Sequence, residues 1–468
     1  MERRDLLRGA GILGLGAVLG AGATPAAAAV PRTRRSSVRR AAALPRPTAF
    51  LVSRWDTDPW ALGAYSALPP AVSPRVRRTL ATAVLGGRIV LAGEYADPDR
   101  PATTSGADAS GRRAAALLQR RTSPRRVIVI GAGLAGAAAA ADLARAGITV
   151  TVVEARDRVG GRIRTDRSWG VPVELGASWI HGVAGNVITT LSKSTGLTLV
   201  PSNYDNSIAR DTTTGRESTA ADQRDSTLID LIDELGSDDT PLSMSVGTWL
   251  REQGWNDSRI DTWAGQVEVT QEYGVGPNQL GTAAVQEGVD DQGGDAFVAG
   301  GYSRIPESLL AGLDVRLRTP VRQVAATGSG VRVVLANGTV MTADAAVVAV
   351  PLEILRQRRL TVSPMTPAVA TALSSLRTGD LEKVVLRYPE KWWDDETLIG
   401  VVGGGVPGAP AGSLAALRWT EFYPLDALTG IPAIMGLAGG ASALARPASD
   451  AACAAEAVAM LDAAYAGG

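Results

Sequence analysis

One cysteine, Cys453, and one histidine, His181, occur in 468 residues. The single cysteine excludes an internal disulfide framework and a cysteine-based metal cage. The single histidine excludes a histidine-rich metal site. Net charge is also absent, since 47 basic residues balance 47 acidic ones. Composition therefore gives no electrostatic reason to expect nucleic acid or an acidic surface as a partner. With 45% hydrophobic and 20% charged residues the chain is ordinary for a soluble globular protein. Its length predicts two domains rather than one core.

Strong hydropathy is missing from the start of the chain. "ERRDLLRG" carries paired arginines and is followed by the uncharged run "GAGILGLGAVLGAGATPAAAAVP". This layout predicts a signal peptide over residues 1–29, of the twin-arginine type, with small residues suited to an A-x-A cleavage site. The alternative is an uncleaved anchor, which a Gly/Ala-rich, weakly apolar run supports poorly. That route exports folded proteins, so the expectation is a secreted or extracytoplasmic protein with no stable membrane insertion after cleavage. Residues 30–44, with "RTRRSSVRR", read as a solvated linker.

What is present begins with "RVIVI", a β-branched run with the pattern of a buried parallel strand. "GAGLAG" follows, then an alanine-rich helical stretch, then a second buried strand, "ITVTVVE". This is a βαβ unit with its glycine turn between strand and helix. Gly131 permits the tight turn, Gly133 lets a pyrophosphate approach the backbone, and Gly136 allows close helix–strand packing. The phosphates would rest on the helix N-terminus, where free N–H groups and the dipole favour anions. Glu154, 23 residues after Gly131, stands where a carboxylate can bind ribose hydroxyls.

The string continues as "EARDRVGGRIRT" and "ELGASWIHG". It resembles the opening of the flavin-containing amine oxidases. That resemblance implies a loop wrapping FAD through Arg156, Gly161 and Arg162, and cofactor contacts from Gly176, Ala177, Ser178 and Trp179. It places His181 in the substrate channel, although a lone histidine is more often merely packed. Lys383, in "RTGDLEKVVLRYPEKWW", matches the family lysine that holds a water against flavin N5. Taken alone, a lysine in a strand is usually an exposed charge. Val321 matches a position whose backbone meets adenine, and the turn "ANGT" nearby signals a hairpin. Trp392 and Trp393 read as core.

The order of the motifs departs from the family. "SRWDTDPWALGAYSALPP" and "RIVLAGEYADPDRPATTSGADASG" resemble its closing segment, yet they precede the glycine motif here. The chain therefore resembles a circular permutant, an arrangement tolerated where natural ends lie together at the surface. The resemblance implies that Glu94 approaches the ribityl or phosphate region. Thr103, Thr104 and Ala107 would run along the isoalloxazine ring, with a helix N-terminus near its pyrimidine end. Trp55 and Tyr65 would flank the ring and the substrate path. Where covalent relatives carry cysteine this chain has Ala64, so the FAD is expected to be non-covalent. Thr103 stands where plant-type enzymes have a second aromatic, which predicts a one-sided cage.

The expected fold is α/β. A Rossmann-type FAD domain is assembled from residues 45–120, 121–195 and 297–350, and a mixed sheet-and-helix substrate domain from 196–296 and 351–468. The implied activity is amine oxidation, with hydride passing from the amine α-carbon to flavin N5. Imine hydrolysis and reoxidation by dioxygen would follow, giving hydrogen peroxide. The implied partners are a small-molecule amine, polyamine or primary, and dioxygen, with no metal. Lys383, His181 and Tyr65 are the candidate catalytic groups. Two alternatives stay open: an L-amino-acid oxidase, which needs an arginine for the substrate carboxylate, and an FAD-binding protein without turnover.

Overall fold

The computed structural model describes residues 44–289, 291–403 and 417–467. The expected signal peptide and all but the last residue of the expected linker lie outside the described residues.

The "RVIVI" run is the strand Arg126–Ile130, at the centre of a six-stranded sheet. Its neighbours are Thr149–Val153 on one side and Ala345–Val348 on the other, both parallel to it. Apart from the exposed Arg126 it is buried throughout, as expected of a strand with helices over both faces. Beyond Ala345–Val348 lies Ile89–Leu91, also parallel, with Ile89 opposite Ala346 and Leu91 opposite Val348. The "RIVLAGE" segment thus stands in the same sheet as the glycine motif that it precedes. Asp314–Arg316 and Val84–Leu85 form the two edges.

Helices Leu134–Arg145 and Thr104–Thr122 pack on each other against this sheet. Their approach is close enough that a Cβ on Gly111 would stand 2.0 Å from the Ala135 carbonyl oxygen. Only a glycine fits. Three residues, 123–125, join Thr104–Thr122 to Arg126–Ile130.

A seven-stranded sheet forms the second layer, in the order Ala49–Val52, Leu381–Arg387, Ala433–Gly439, Glu421–Pro424, Leu398–Val402, Ser207–Asp211, Arg216–Glu217. Ala49–Val52, expected with the cofactor domain, pairs here instead, antiparallel to Leu381–Arg387. A four-residue alternating run suits either sheet, and its partner lies far along the chain. Thr361–Ser363 departs in the other direction. It pairs with Val321–Ala326, in a four-stranded sheet that includes the hairpin around "ANGT". There Gly338 turns the chain at φ +86°.

Residues 196–296 carry the expected helices, Thr219–Ser237, Val246–Glu252 and Arg259–Gly265, the last running into a π-helical turn at Gln266–Gln271. They also contribute Thr198–Pro201, which pairs with Ala296–Ala299. Trp392 and Trp393 stack edge-on with Tyr388, so both belong to the packed interior as expected. Among the described residues no helix is long and apolar enough to cross a membrane, and no cluster could hold a metal ion.

Candidate active site

The glycine turn is built by close approach. Gly131 sits at φ +104°, and a Cβ there would lie 2.4 Å from the Ala349 carbonyl oxygen. Gly161, at φ +60°, brings its loop to within van der Waals contact of Gly133, and the two loops bridge at Gly133 and Gly160. Gly133 precedes the helix Leu134–Arg145, whose first turn has no side-chain cap. Gly133, Leu134 and Ala135 line the cavity, where an anion would suit that end of the helix. Glu154 is 5% exposed, and its carboxylate accepts from the Ala132 and Arg156 N–H groups, both at 2.8 Å. Arg156 is tied to Asp58 at 2.7 Å. Arg158 braces the loop from inside, donating to the carbonyls of Val159, Ile163 and Gly161. Burial, with Arg156 and Arg164 alongside, pushes its guanidinium down to about 10.

From this turn a single cavity, about 1650 Å³ of empty space including the part open to solvent, runs past every candidate site residue but one. Gly136, grouped with the cofactor-site glycines for its packing, is not in its wall. A Cβ there would stand 1.9 Å from the Gly131 carbonyl oxygen, so the residue serves helix–turn packing alone. Val321 and Thr319 line the end near Glu154. Next comes Arg162, which donates to the Ala64 carbonyl at 2.7 Å and to Glu94 at 3.0 Å. Glu94 also accepts from the Ser66 hydroxyl at 2.6 Å, and Ser66 in turn accepts from the buried Arg77 at 2.8 Å. Thr103 caps the helix Thr104–Thr122 by accepting from the Gly106 N–H, so a second helix N-terminus meets the cavity beside Ala107. Thr104 hydrogen-bonds Tyr302 at 2.7 Å.

At the other end stands Lys383, on the strand Leu381–Arg387 and 3% exposed. Its ammonium donates to the Gly176 carbonyl at 2.6 Å and to the Ser178 hydroxyl at 2.5 Å. The Trp179 ring lies 5.2 Å away. Trp55 is locked by its indole N–H on the Leu175 carbonyl at 3.0 Å, the same loop that Lys383 grips. Gly176 belongs there because a Cβ would meet the Arg162 carbonyl oxygen at 1.8 Å.

Tyr65 and His181 stand where the cavity opens into a second chamber, since both line both spaces. Tyr65 donates to the Gln271 carbonyl at 2.5 Å. His181 places Nδ1 2.8 Å from Asp295, itself 5% exposed. The outer chamber is acidic, walled by Asp99, Asp230, Asp233, Glu272, Glu287 and Asp291 as well as Asp295. Two of these carboxylates are ion-paired, Asp291 with Arg100 at 2.6 Å and Glu287 with Arg77 at 2.8 Å.

Sequence reading missed Asp295, Arg158 and the acidic chamber. Only "GGDAF" hints at Asp295, and nothing in it names His181 as a partner. It also missed Glu174, whose carboxylate, raised by burial, accepts from Thr165 and from the Tyr302 N–H.

Comparison with known proteins gives the family. The model of the flavin containing amine oxidoreductases matches residues 31–119 and 134–466. That of the pyridine nucleotide-disulphide oxidoreductases matches 88–174. Polyamine oxidase 4 of Oryza sativa subsp. japonica is 31% identical over 308 residues, 60% of this chain and 62% of that one. Lysine-specific histone demethylase 2 of Homo sapiens is 30% identical over 66% of this chain and 40% of its own length. The alignment thus spans somewhat under two thirds of the rice relative. A solved structure of a redesigned putrescine oxidase shares the fold, with a TM-score of 0.57 at 22% identity, covering 74% of this chain and 82% of that one. By the extent of the family match, this chain belongs to the flavin-containing amine oxidoreductases.

Proposed function

We propose that the chain is an FAD-dependent amine oxidase for amines carrying more than one positive charge, with hydrogen peroxide as the reduced product. The observation that carries this reading is one continuous cavity, with a dinucleotide cradle at one end and Lys383 at the other. The fit to FAD rests on the uncapped helix after Gly133, the buried Glu154 and the Arg162–Glu94 pair. Bound there, FAD would supply the two-electron acceptor. Lys383 would hold a water by its ammonium, anchored on Gly176 and Ser178. His181, fixed by Asp295 in the cavity wall, would meet the amine as it passes. Trp55 and the Leu175–Trp179 loop would keep bulk water out.

The acidic outer chamber favours a cationic amine over an amino acid. Its carboxylates would raise the local concentration of a polycation and repel a substrate carboxylate. The expectation that cofactor attachment is non-covalent rests on Ala64 in the cavity wall and on Cys453, buried in the helix Asp450–Ala464 elsewhere. Purified protein should be yellow, release intact FAD on heat or acid, and make peroxide from polyamines in preference to monoamines and amino acids. Flavin that stays with the precipitate would rule out non-covalent attachment. Peroxide from none of these substrates would sink the activity.

The inverted motif order is part of this proposal. The family match falls in two pieces, 31–119 and 134–466, on either side of the short link 123–125. Arg46 pairs with Asp462 at 2.6 Å, so the start and the end of the described chain meet in space. A rearranged protein, residues 121–468 followed by 44–120, should therefore bind FAD and oxidise the same amines as the parent. Failure of the folded rearrangement to bind flavin, beside an active parent, would remove the permutation.

A further inference from the structure

Glu382 sits next to Lys383 on the strand Leu381–Arg387 and, by strand alternation, points to the opposite face. It is completely buried and lies outside the cavity wall. Its two oxygens are nevertheless bonded to that wall from behind. Oε1 accepts from the Trp55 N–H at 2.6 Å and from the Asp56 N–H at 3.3 Å. Oε2 accepts from the Ser53 hydroxyl at 2.5 Å. Ser53 Oγ accepts in turn from the Lys383 N–H at 2.7 Å, and the Ser53 N–H donates to the Lys383 carbonyl at 2.9 Å. One carboxylate therefore fixes the backbone of two cavity residues, although Trp55 lies 327 residues from it in sequence.

A single cation serves this cluster. Arg446 is ion-paired to Asp56 and holds Nη2 3.6 Å from Glu382 Oε1. Asp380 stands nearby under the influence of both Asp56 and Arg446. Three carboxylates thus face one guanidinium, and burial pushes both Glu382 and Asp380 up to about 7. A buried carboxylate is worth its desolvation only where its hydrogen bonds are used. Here they converge on Trp55 and, through Ser53, on Lys383.

We propose that Glu382 is a positioning residue, setting Trp55 and Lys383 against the reaction cavity through the Trp55 amide and the Ser53 hydroxyl. The proposal rests on the reading of Lys383 as a group at the reacting centre, so its test includes readouts independent of turnover. A glutamine can accept at only one of the two positions, so with its oxygen on the Trp55 N–H, Glu382→Gln takes the acceptor away from the Ser53 hydroxyl while preserving shape. Ser53→Ala breaks the same link and leaves the carboxylate and its Trp55 bond in place.

Both variants, made in the full chain, should load FAD to the wild-type level but shift the visible absorption and circular dichroism of the bound flavin. Their kcat should fall about tenfold with KM within about twofold, the scale expected when a placed group moves by a fraction of an ångström. Glu382→Gln should also flatten the pH dependence of melting near 7. The sign follows from the raised acid: its contribution to stability is whole below the ordinary carboxylate range and is lost as pH climbs through about 7. Flavin-loaded variants with unchanged flavin spectra and unchanged kcat would overturn the proposal. So would a loss confined to melting temperature. Should Glu382→Gln fail to fold, Ser53→Ala decides by the same two readouts. Should the wild-type chain oxidise no amine, the functional reading falls and the flavin spectra alone decide this one.

Discussion

Lys383→Met should slow reduction of the flavin by amine well over tenfold while leaving the cofactor bound. Methionine matches the length of the lysine stem and removes only the ammonium. That ammonium is held within hydrogen-bond distance of the Gly176 carbonyl and the Ser178 hydroxyl, in a place 3% exposed. A hydrogen-bond donor fixed in so dry a site acts far more strongly on developing charge than it would in water. Each tenfold loss of rate corresponds to about 1.4 kcal/mol of barrier. Retention of FAD is expected because Gly131, Glu154 and Arg162, at the other end of the cavity, are untouched. Anaerobic stopped-flow mixing with a polyamine measures the rate directly. A variant reducing at the wild-type rate would remove Lys383 from the chemistry.

Gly136→Ala should cost the protein its flavin and much of its stability, although it adds one methyl group. Its φ is ordinary, so backbone strain is not the reason. The new Cβ would stand 1.9 Å from the Gly131 carbonyl oxygen and 3.0 Å from its carbon, and these are backbone atoms of the phosphate turn. The helix Leu134–Arg145 must retreat or the turn must open, and either separates the helix N-terminus from Gly133. Overpacking typically costs about 1–3 kcal/mol, and a clash with rigid backbone belongs at the upper end. Gly236→Ala is the control. It lies in the helix Thr219–Ser237 with nothing within 4 Å of the added carbon, so it should be neutral or mildly stabilising. The ratio of flavin to protein absorbance and the melting temperature separate the two. Full flavin content and unchanged melting in Gly136→Ala would contradict the packing role.

The parts of the site that could be read from sequence are those in which backbone geometry dictates residue type. Gly131, Gly133 and Glu154 follow from a turn that must let an anion close to the chain, and that turn is local. Lys383 and Trp55 could be found only through family resemblance, because a lysine in a strand has no signature of its own. Asp295, Glu382 and Arg446 were invisible for another reason. Each acts on a residue more than a hundred positions away, and the strand pairings that bring them together leave no trace in local periodicity. The misplaced Ala49–Val52 has the same cause. Its four residues suit any half-buried strand, and only the pairing with Leu381–Arg387 decides which sheet it joins.

The position of Ile89–Leu91 in the six-stranded sheet carries a consequence for biogenesis. The strand that separates it from Arg126–Ile130 is Ala345–Val348, which leaves the ribosome some 250 residues later. Until then Ile89–Leu91 has no parallel partner, and an apolar edge of unpaired N–H and C=O groups stays open. Here the topology raises contact order at the centre of the cofactor sheet, which slows closure and lengthens exposure to aggregation. Vectorial synthesis therefore leaves that edge open until its middle strand arrives.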